Sequence, residues 1–76
     1  MSRLAGFSAR EVGRVAERLG WQLERQSGSH LVYVPPSQGL PILVVPNHRE
    51  LRPGTVRALI RAMGIDVDTS LQIAGR

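Results

Sequence analysis

The sequence predicts a single α+β domain with the element order helix, three strands, helix. Apolar residues recur at helical spacing near both ends of the chain, short apolar or alternating runs lie between them, and glycine, serine and proline separate the runs. A chain of 76 residues buries only about 60% of the surface that its unfolded form exposes. We therefore expect one compact domain, residues 1–76, with no room for a second one.

The first helix is predicted over residues 9–19. Ser8 and Glu11 form a capping box, in which each side chain binds the backbone N–H group of the other residue, and Gly20 supplies the C-terminal stop. Gly13 lies inside this helix at a cost of about 1 kcal/mol relative to alanine, which indicates a close approach of the sheet. The apolar stripe of the helix consists of Val12, Val15, Ala16 and Leu19.

Arg10, Arg14 and Arg18 repeat every fourth residue along another face of this helix. Either the stripe is solvated and partly neutralised by Glu11 and Glu17, or it binds a partner.

Three strands are predicted between the helices. Residues 21–26 alternate as in a half-buried strand, in which Trp21 and Leu23 are able to face a core. A turn of glycine and serine follows, residues 30–34 form the returning strand, and residues 42–45 form the third. Because the connections are short, we expect an antiparallel meander.

The strand faces lead to two further expectations. In a regular second strand, His30 shares a face with Val32 and Val34, and we expect this face to meet the helices. The third strand should lie at an edge of the sheet although it is apolar on both faces. Either a partner chain covers it, or residues 66–76 fold over it.

A second helix begins at Pro53, whose fixed φ suits the first turn, and ends at Gly64. Its buried stripe consists of Val56, Leu59, Ile60 and Met63. The tail, residues 66–76, is predicted to form one weak turn capped by Asp66 or Asp68.

Composition limits the class of function. The formal net charge is +4, and all ten basic residues are arginines. Arginine matches phosphate oxygens and stacks on bases, so this composition favours a nucleic-acid or acidic protein partner, although a solvated helix face would give the same count. The absence of cysteine excludes disulfides and thiolate chemistry. Neither a signal-peptide core nor a membrane-length apolar run occurs, so we expect a soluble cytoplasmic protein without membrane contact.

His30 and His48 are the two histidines of the sequence. Histidine exchanges protons near neutral pH, because its unperturbed pKa is about 6.5. A histidine at the junction of a Gly-Ser turn and a strand is therefore a candidate for proton transfer, and it could equally cap the turn. Two histidines with few nearby carboxylates do not supply three convergent ligands, so we expect no metal and no cofactor.

Several motifs spread over residues 6–65 occur together in one known family. They are Gly6-Phe7-Ser8, Arg10-Glu11-Val12, Leu19-Gly20-Trp21, Arg25-Gln26-Ser27-Gly28-Ser29-His30, Tyr33, Val45-Pro46-Asn47-His48, Leu51, Gly54-Thr55, Arg57, Ile60 and Met63-Gly64-Ile65. In this set the chain resembles the HicA-type toxins of bacterial toxin–antitoxin pairs. The order of elements matches the double-stranded-RNA-binding fold of that family, in which two helices cover one face of a three-stranded antiparallel sheet.

The resemblance implies a toxin that is an mRNA interferase, an endoribonuclease that cleaves mRNA by metal-independent acid–base catalysis. His30 corresponds to the catalytic histidine. His48 would be a second proton-transfer group, a phosphate donor, or a structural link between the third strand and the second helix, and we favour the link. The implied partners are mRNA and a HicB-type antitoxin, which covers the basic surface in an oligomer with the toxin.

The candidate RNA-binding residues are Arg25, Ser29, Tyr33, Arg49, Arg52 and Arg57. The arginines would hold phosphates and stabilise developing charge, while Tyr33 could stack on a base or complete the core. The main alternative function is a non-catalytic RNA-binding module of the same fold, which would shift RNA on a gel and leave it intact. A protein-binding adaptor would show no RNA affinity even at low salt.

Overall fold

A computed structural model describes residues 3–76; Met1 and Ser2, the start of the predicted domain, lie outside the described residues. The elements are α1 Ala9–Arg18, β1 Gln22–Ser27, β2 His30–Val34, β3 Leu43–Pro46, α2 Pro53–Ala62 and α3 Val67–Ala74. The three strands form one antiparallel sheet in the order β1-β2-β3. The predicted α+β fold is confirmed, with α3 as an additional helix. No helix within residues 3–76 is long and apolar enough to cross a membrane.

The start of α1 is built as the sequence predicts. Ser8 Oγ accepts the backbone N–H of Glu11 at 3.1 Å, and Glu11 Oε1 accepts the N–H of Ser8 at 3.1 Å. Gly13 touches β2, because a Cβ atom at this position would lie 2.1 Å from the hydroxyl oxygen of Tyr33. The predicted close approach of the sheet is therefore confirmed.

A two-residue turn joins β1 to β2. Ser27 pairs with His30, and φ is +60° at Gly28 and not positive at Ser29, which is the pattern of a type II′ hairpin turn. Trp21, just before β1, is buried as predicted, and its Nε1–H donates to the Pro41 carbonyl at 2.9 Å. Leu23 lies opposite Tyr33, on the same face of the sheet as this buried residue, as predicted, but it is 48% exposed. The reason is that β1 is an edge strand whose side chains are all exposed.

The core lies between the helices and one face of the sheet. Its buried members include Phe7, Val12, Val15, Trp21, Tyr33, Leu43, Val45, Leu51, Val56 and Ile60. Residues opposite one another on neighbouring strands share a face, and Tyr33 is opposite Leu43 while Leu31 is opposite Val45. These pairs mark the helix side of the sheet.

The other side of the sheet, which we call the open face, carries no helix. It holds the pairs His30–Pro46 and Val32–Val44, which alternate with the core pairs. The expectation that the face of His30 meets the helices is therefore wrong. Val32 is buried outside the main core cluster. The inward positions of β2 are those of Leu31 and Tyr33.

The tail forms an eight-residue helix, α3, rather than one weak turn. Asp66 is its N-cap, and the Thr69 N–H donated to its carboxylate at 2.8 Å lowers the pKa of Asp66. Ser70 is fully buried and donates its hydroxyl to the Val67 carbonyl at 2.7 Å. Because α3 packs against α1 and α2, the tail does not fold over β3.

Arg76 ties the end of α3 to the start of α1. Its Nε and Nη2 donate to the Glu11 carboxylate at 3.0 and 2.9 Å, and Nη1 and Nη2 donate to the carbonyls of Ala5 and Gly6 at 3.1 and 2.9 Å. The guanidinium carbon also lies 4.3 Å from the centre of the Phe7 ring. Contacts between the two ends of the chain explain why local patterns predicted a weaker tail.

Candidate active site

His30 begins β2 on the open face, and the residue is exposed. Its neighbours across the strands are Ser27 on β1 and Pro46 on β3. Both neighbours have short side chains, which leaves the imidazole open to a ligand approaching this face. The turn and the two ladders hold the backbone of His30 in place on both sides.

The loop after β3 lies beside the turn before β2. The Asn47 N–H donates to the Ser29 carbonyl at 2.7 Å, which continues the β2–β3 ladder past His30. In the next residue, the carbonyl of His48 accepts the Ala9 N–H at 2.9 Å, and its N–H donates to the Pro46 carbonyl at 2.8 Å. The segments that carry the two histidines are thus hydrogen-bonded to each other.

His48 is anchored through its backbone, while its side chain is exposed. Within residues 3–76, the imidazole makes no hydrogen bond. It lines a cleft of about 410 Å³ together with Pro46, Arg52 and Thr55. A backbone link between β3 and the helices requires no imidazole, so the role of this side chain stays a prediction.

Arg25 lies on the open face because β1 contains a bulge. Leu23 and Arg25 pair with successive residues of β2, so Glu24 has no partner of its own. Without the extra residue, alternation would place Arg25 on the same side as Leu23; with it, Arg25 shares the side of His30. The guanidinium is exposed and forms an ion pair with Glu24.

The family comparison assigns this arrangement to a known group of proteins. Residues 9–65 match the family model described as HicA toxin of bacterial toxin-antitoxin. The chain belongs to the HicA toxin family. It is therefore a toxin of a toxin–antitoxin system, and its family implies a cognate antitoxin as partner. A search of curated proteins returns no significant match. The matched segment of this HicA toxin runs from α1 to just past α2 and leaves α3 outside.

The structure separates the arginines along and before α2 of the HicA toxin into two groups. Arg52 is the N-cap residue of α2, makes no side-chain capping bond and lines the cleft of His48, and Arg49 is exposed in the same connection. Arg57 and Arg61 line a different cleft of about 190 Å³, between α2 and α3. Arg57 and His48 therefore line different clefts.

Of the two roles predicted for Tyr33, the structure supports completion of the core rather than stacking on a base. Tyr33 is 5% exposed and packs on Gly13, because its position in β2 is on the helix side. Burial raises the pKa of the Tyr33 phenol, and the negative charge of Glu17 raises it further. The chain contains one residue each of phenylalanine, tryptophan and tyrosine, and all three are buried, so none of them is available to stack on bases.

Two features of the site were missed at the sequence level. The bulge at Glu24 leaves no signal in local composition, whereas the proximity of Asn47 to Ser29 follows only from the β2–β3 register.

The predicted partial neutralisation of Arg14 by Glu11 is wrong, because Glu11 binds Arg76. Within residues 3–76, the stripe of Arg10, Arg14 and Arg18 forms no ion pair.

Proposed function

We propose that this HicA toxin is an mRNA interferase, a cytoplasmic endoribonuclease in which His30 transfers a proton during cleavage. The observation that carries the proposal is the position of His30. It is an exposed histidine held by ladders on both sides, on the sheet face that no helix covers. A flexible RNA strand can reach such a group without any rearrangement of the core.

The proposed reaction uses the RNA's own 2′-hydroxyl as nucleophile. A neutral imidazole removes the 2′-hydroxyl proton while the 2′-oxygen attacks the adjacent phosphorus atom, and the bond from phosphorus to the 5′-oxygen breaks. The leaving 5′-oxygen takes up a proton from a protonated imidazole. The products are one strand ending in a 2′,3′-cyclic phosphate and one beginning with a 5′-hydroxyl. We assign one of the two proton transfers to His30.

His48 is the candidate for the second proton transfer. Support comes from the hydrogen bond between Asn47 and Ser29, which holds the loop of His48 beside the turn of His30, and from the exposure of both imidazoles. If His48 binds a phosphate instead, its substitution will weaken RNA binding rather than slow the chemical step.

Phosphate binding is assigned to the exposed arginines near the two histidines. Arg25 shares the open face with His30, and Arg52 shares the cleft with His48. Arg49 directly follows His48 in the connection that leads to Arg52. Ser29 contributes a hydroxyl and a backbone position at the turn. Arg57, in its separate cleft, is assigned a weaker, non-specific role in attracting RNA.

The proposed partners are mRNA as substrate and a HicB-type antitoxin as inhibitor. An acidic antitoxin surface would complement the exposed arginines, so the complex should form rapidly and should weaken as salt is added.

A second candidate function is a non-catalytic RNA-binding module. It is favoured by Arg49, Arg52, Arg57 and Arg61, which are exposed along and before α2 and form no ion pair within residues 3–76. Such a module would bind RNA with strong salt dependence and leave it intact.

The deciding experiment uses purified protein, EDTA and two oligonucleotides. One is a single-stranded RNA, and the other is the same RNA with a 2′-deoxy substitution at each nucleotide where the wild type cuts the first. We expect the protein to cut the first into a cyclic-phosphate product and to leave the second intact, and we expect His30→Ala to cut neither while still binding both. Binding of RNA by the wild type without any product would establish the second candidate instead.

A further inference from the structure

Three apolar side chains are exposed together along and before β3. Leu40 is 41%, Ile42 59% and Val44 50% exposed, and we call them the apolar strip. They account for all but one of the large exposed hydrophobic residues found in residues 3–76, and the remaining one, Leu23, lies on β1 at the opposite edge of the sheet. Such clustering in a small domain indicates a contact surface rather than scattered exposure.

The chemistry of the apolar strip does not suit RNA. No acidic or basic residue occurs between positions 31 and 47. Binding to a nucleic-acid backbone depends on cationic side chains, and stacking on bases depends on exposed aromatic rings, neither of which the strip provides. The occupant that fits this surface is therefore a protein segment with apolar side chains.

Within residues 3–76, no strand pairs with the outer edge of β3, because the strand order of the sheet is β1-β2-β3. The Asn47 N–H donates to the Ser29 carbonyl, so Ser29 and Asn47 form a hydrogen-bonded pair. Hydrogen-bonded and non-hydrogen-bonded pairs alternate along an antiparallel ladder, so Val32 and Val44 form a pair without hydrogen bonds between them. The N–H and C=O groups of Val44 therefore point away from β2, toward a free edge. An added strand could bind these groups while its side chains cover the strip.

The edge is short and held in place. Pro41 and Pro46 bracket it, and the hydrogen bond from Trp21 Nε1 to the Pro41 carbonyl, at 2.9 Å, fixes where it starts. A second copy of this chain pairing over four residues would bury far less than the roughly 800 Å² per partner of a stable interface. A different protein that continues from the strip onto neighbouring surface can reach that area.

We infer that the cognate antitoxin inserts an extended, apolar segment along the outer edge of β3, over Ile42 and Val44. On the open face the pair Val32–Val44 lies two residues from the pair His30–Pro46, a distance of roughly 6–7 Å along the strand. An antitoxin docked there stands beside His30. The docking site of the antitoxin is inferred from the exposed edge alone. The consequence of docking, exclusion of RNA from His30, rests on the proposed function.

The test measures antitoxin binding in a His30→Ala background, so that neither toxicity nor RNA cleavage enters the result. The probe is the purified cognate antitoxin. Ile42→Asp and Val44→Asp should weaken binding about 30-fold or more, as expected for substitutions at the centre of an interface. The matched control is Leu23→Asp, an equally exposed leucine on the opposite edge, which should change binding by less than about threefold.

A second pair of variants tests strand addition itself. Val44→Ala keeps the outward N–H group, whereas Val44→Pro removes it without removing a β2–β3 hydrogen bond, so the proline variant should bind about tenfold more weakly than the alanine variant. Circular dichroism and thermal unfolding confirm that each variant is folded.

Antitoxin binding that is unchanged in Ile42→Asp and Val44→Asp overturns the inference. So does a wild-type chain that is dimeric alone and becomes monomeric in Val44→Asp, because the strip would then serve a second copy. A similar loss of RNA binding in Val44→Asp and Arg25→Ala, without antitoxin present, would assign the strip to RNA and also overturn it. None of these outcomes depends on whether the wild type cleaves RNA.

Discussion

Replacing Gly13 with alanine should destabilise this domain, although alanine is the better helix former. In a solvent-exposed helix the change would stabilise the protein by about 1 kcal/mol. Here the new methyl group would lie 2.1 Å from the hydroxyl oxygen and 3.0 Å from Cζ of Tyr33. The first distance is about 1 Å shorter than any tolerable contact, so the tyrosine ring must move.

The size of the effect follows from the burial of that ring. Tyr33 is 5% exposed and belongs to the main core, so its displacement resembles overpacking, which typically costs about 1–3 kcal/mol. When the helix gain of about 1 kcal/mol is subtracted from this range, the net loss for Gly13→Ala is about 0–2 kcal/mol, centred near 1 kcal/mol, which corresponds to roughly 4–8 °C in Tm for a domain of this size.

Urea unfolding of a double-mutant cycle checks the mechanism. Tyr33→Phe removes the hydroxyl and leaves Cζ, at 3.0 Å, as the nearest atom, a tight contact that small shifts can relieve. Gly13→Ala should therefore be close to neutral in the Tyr33→Phe background, with a coupling energy of about 1 kcal/mol. A Gly13→Ala protein that is more stable than the wild type by the ordinary helix increment would refute the packing argument.

Three further predictions concern pH and the ends of the chain. The single tyrosine should titrate above the ordinary phenol pKa of 10.0 in absorbance at 295 nm, because burial and then Glu17 raise the pKa of Tyr33, and Glu17→Gln should lower this pKa part of the way. The contribution of the neutral Tyr33 phenol to stability is complete below pH 10 and is lost as pH rises through the folded-state pKa. A phenol that titrates normally in the folded protein would contradict this prediction. Asp66 has a lowered pKa, so its contribution to α3 is complete above the ordinary value of 3.8 and is lost as pH falls through the folded-state value, and Asp66→Asn should remove this part of the acid transition measured by circular dichroism. Arg76→Ala should lower the free energy of unfolding measured in urea by about 1–2 kcal/mol, because charged hydrogen bonds at a partly exposed site are lost. Arg3→Ala removes only an exposed ion pair and should lower it by less than about 0.5 kcal/mol. Equal effects would contradict the anchoring role of Arg76.

The sequence predicts the parts of this fold that depend on local chemistry. Ser8 and Glu11 cap α1, Gly28 shapes the hairpin turn, and Pro53 begins α2, because each effect acts within a few residues. The sequence also predicts that β3 is an apolar edge strand, because the third strand of a three-stranded meander lies at an edge of the sheet.

The remaining features depend on contacts between distant segments. The choice of which face of β2 meets the helices, and hence the exposure of His30 and the burial of Tyr33, is decided by packing against α1. The bulge at Glu24 depends on the register with β2, and α3 is stabilised by contacts such as that of Arg76 with Glu11, 65 residues apart. No local pattern encodes these choices.

Cellular RNA after induction gives the most direct test of the proposed role of His30. The wild type, His30→Ala and His48→Ala are induced side by side without antitoxin, each is confirmed folded by circular dichroism, and growth and total-RNA integrity are followed. We predict growth arrest and mRNA degradation for the wild type and intact mRNA with normal growth for His30→Ala. Degradation by His30→Ala at the wild-type rate would contradict the assignment and would move the chemistry to another residue, with His48 the next to test.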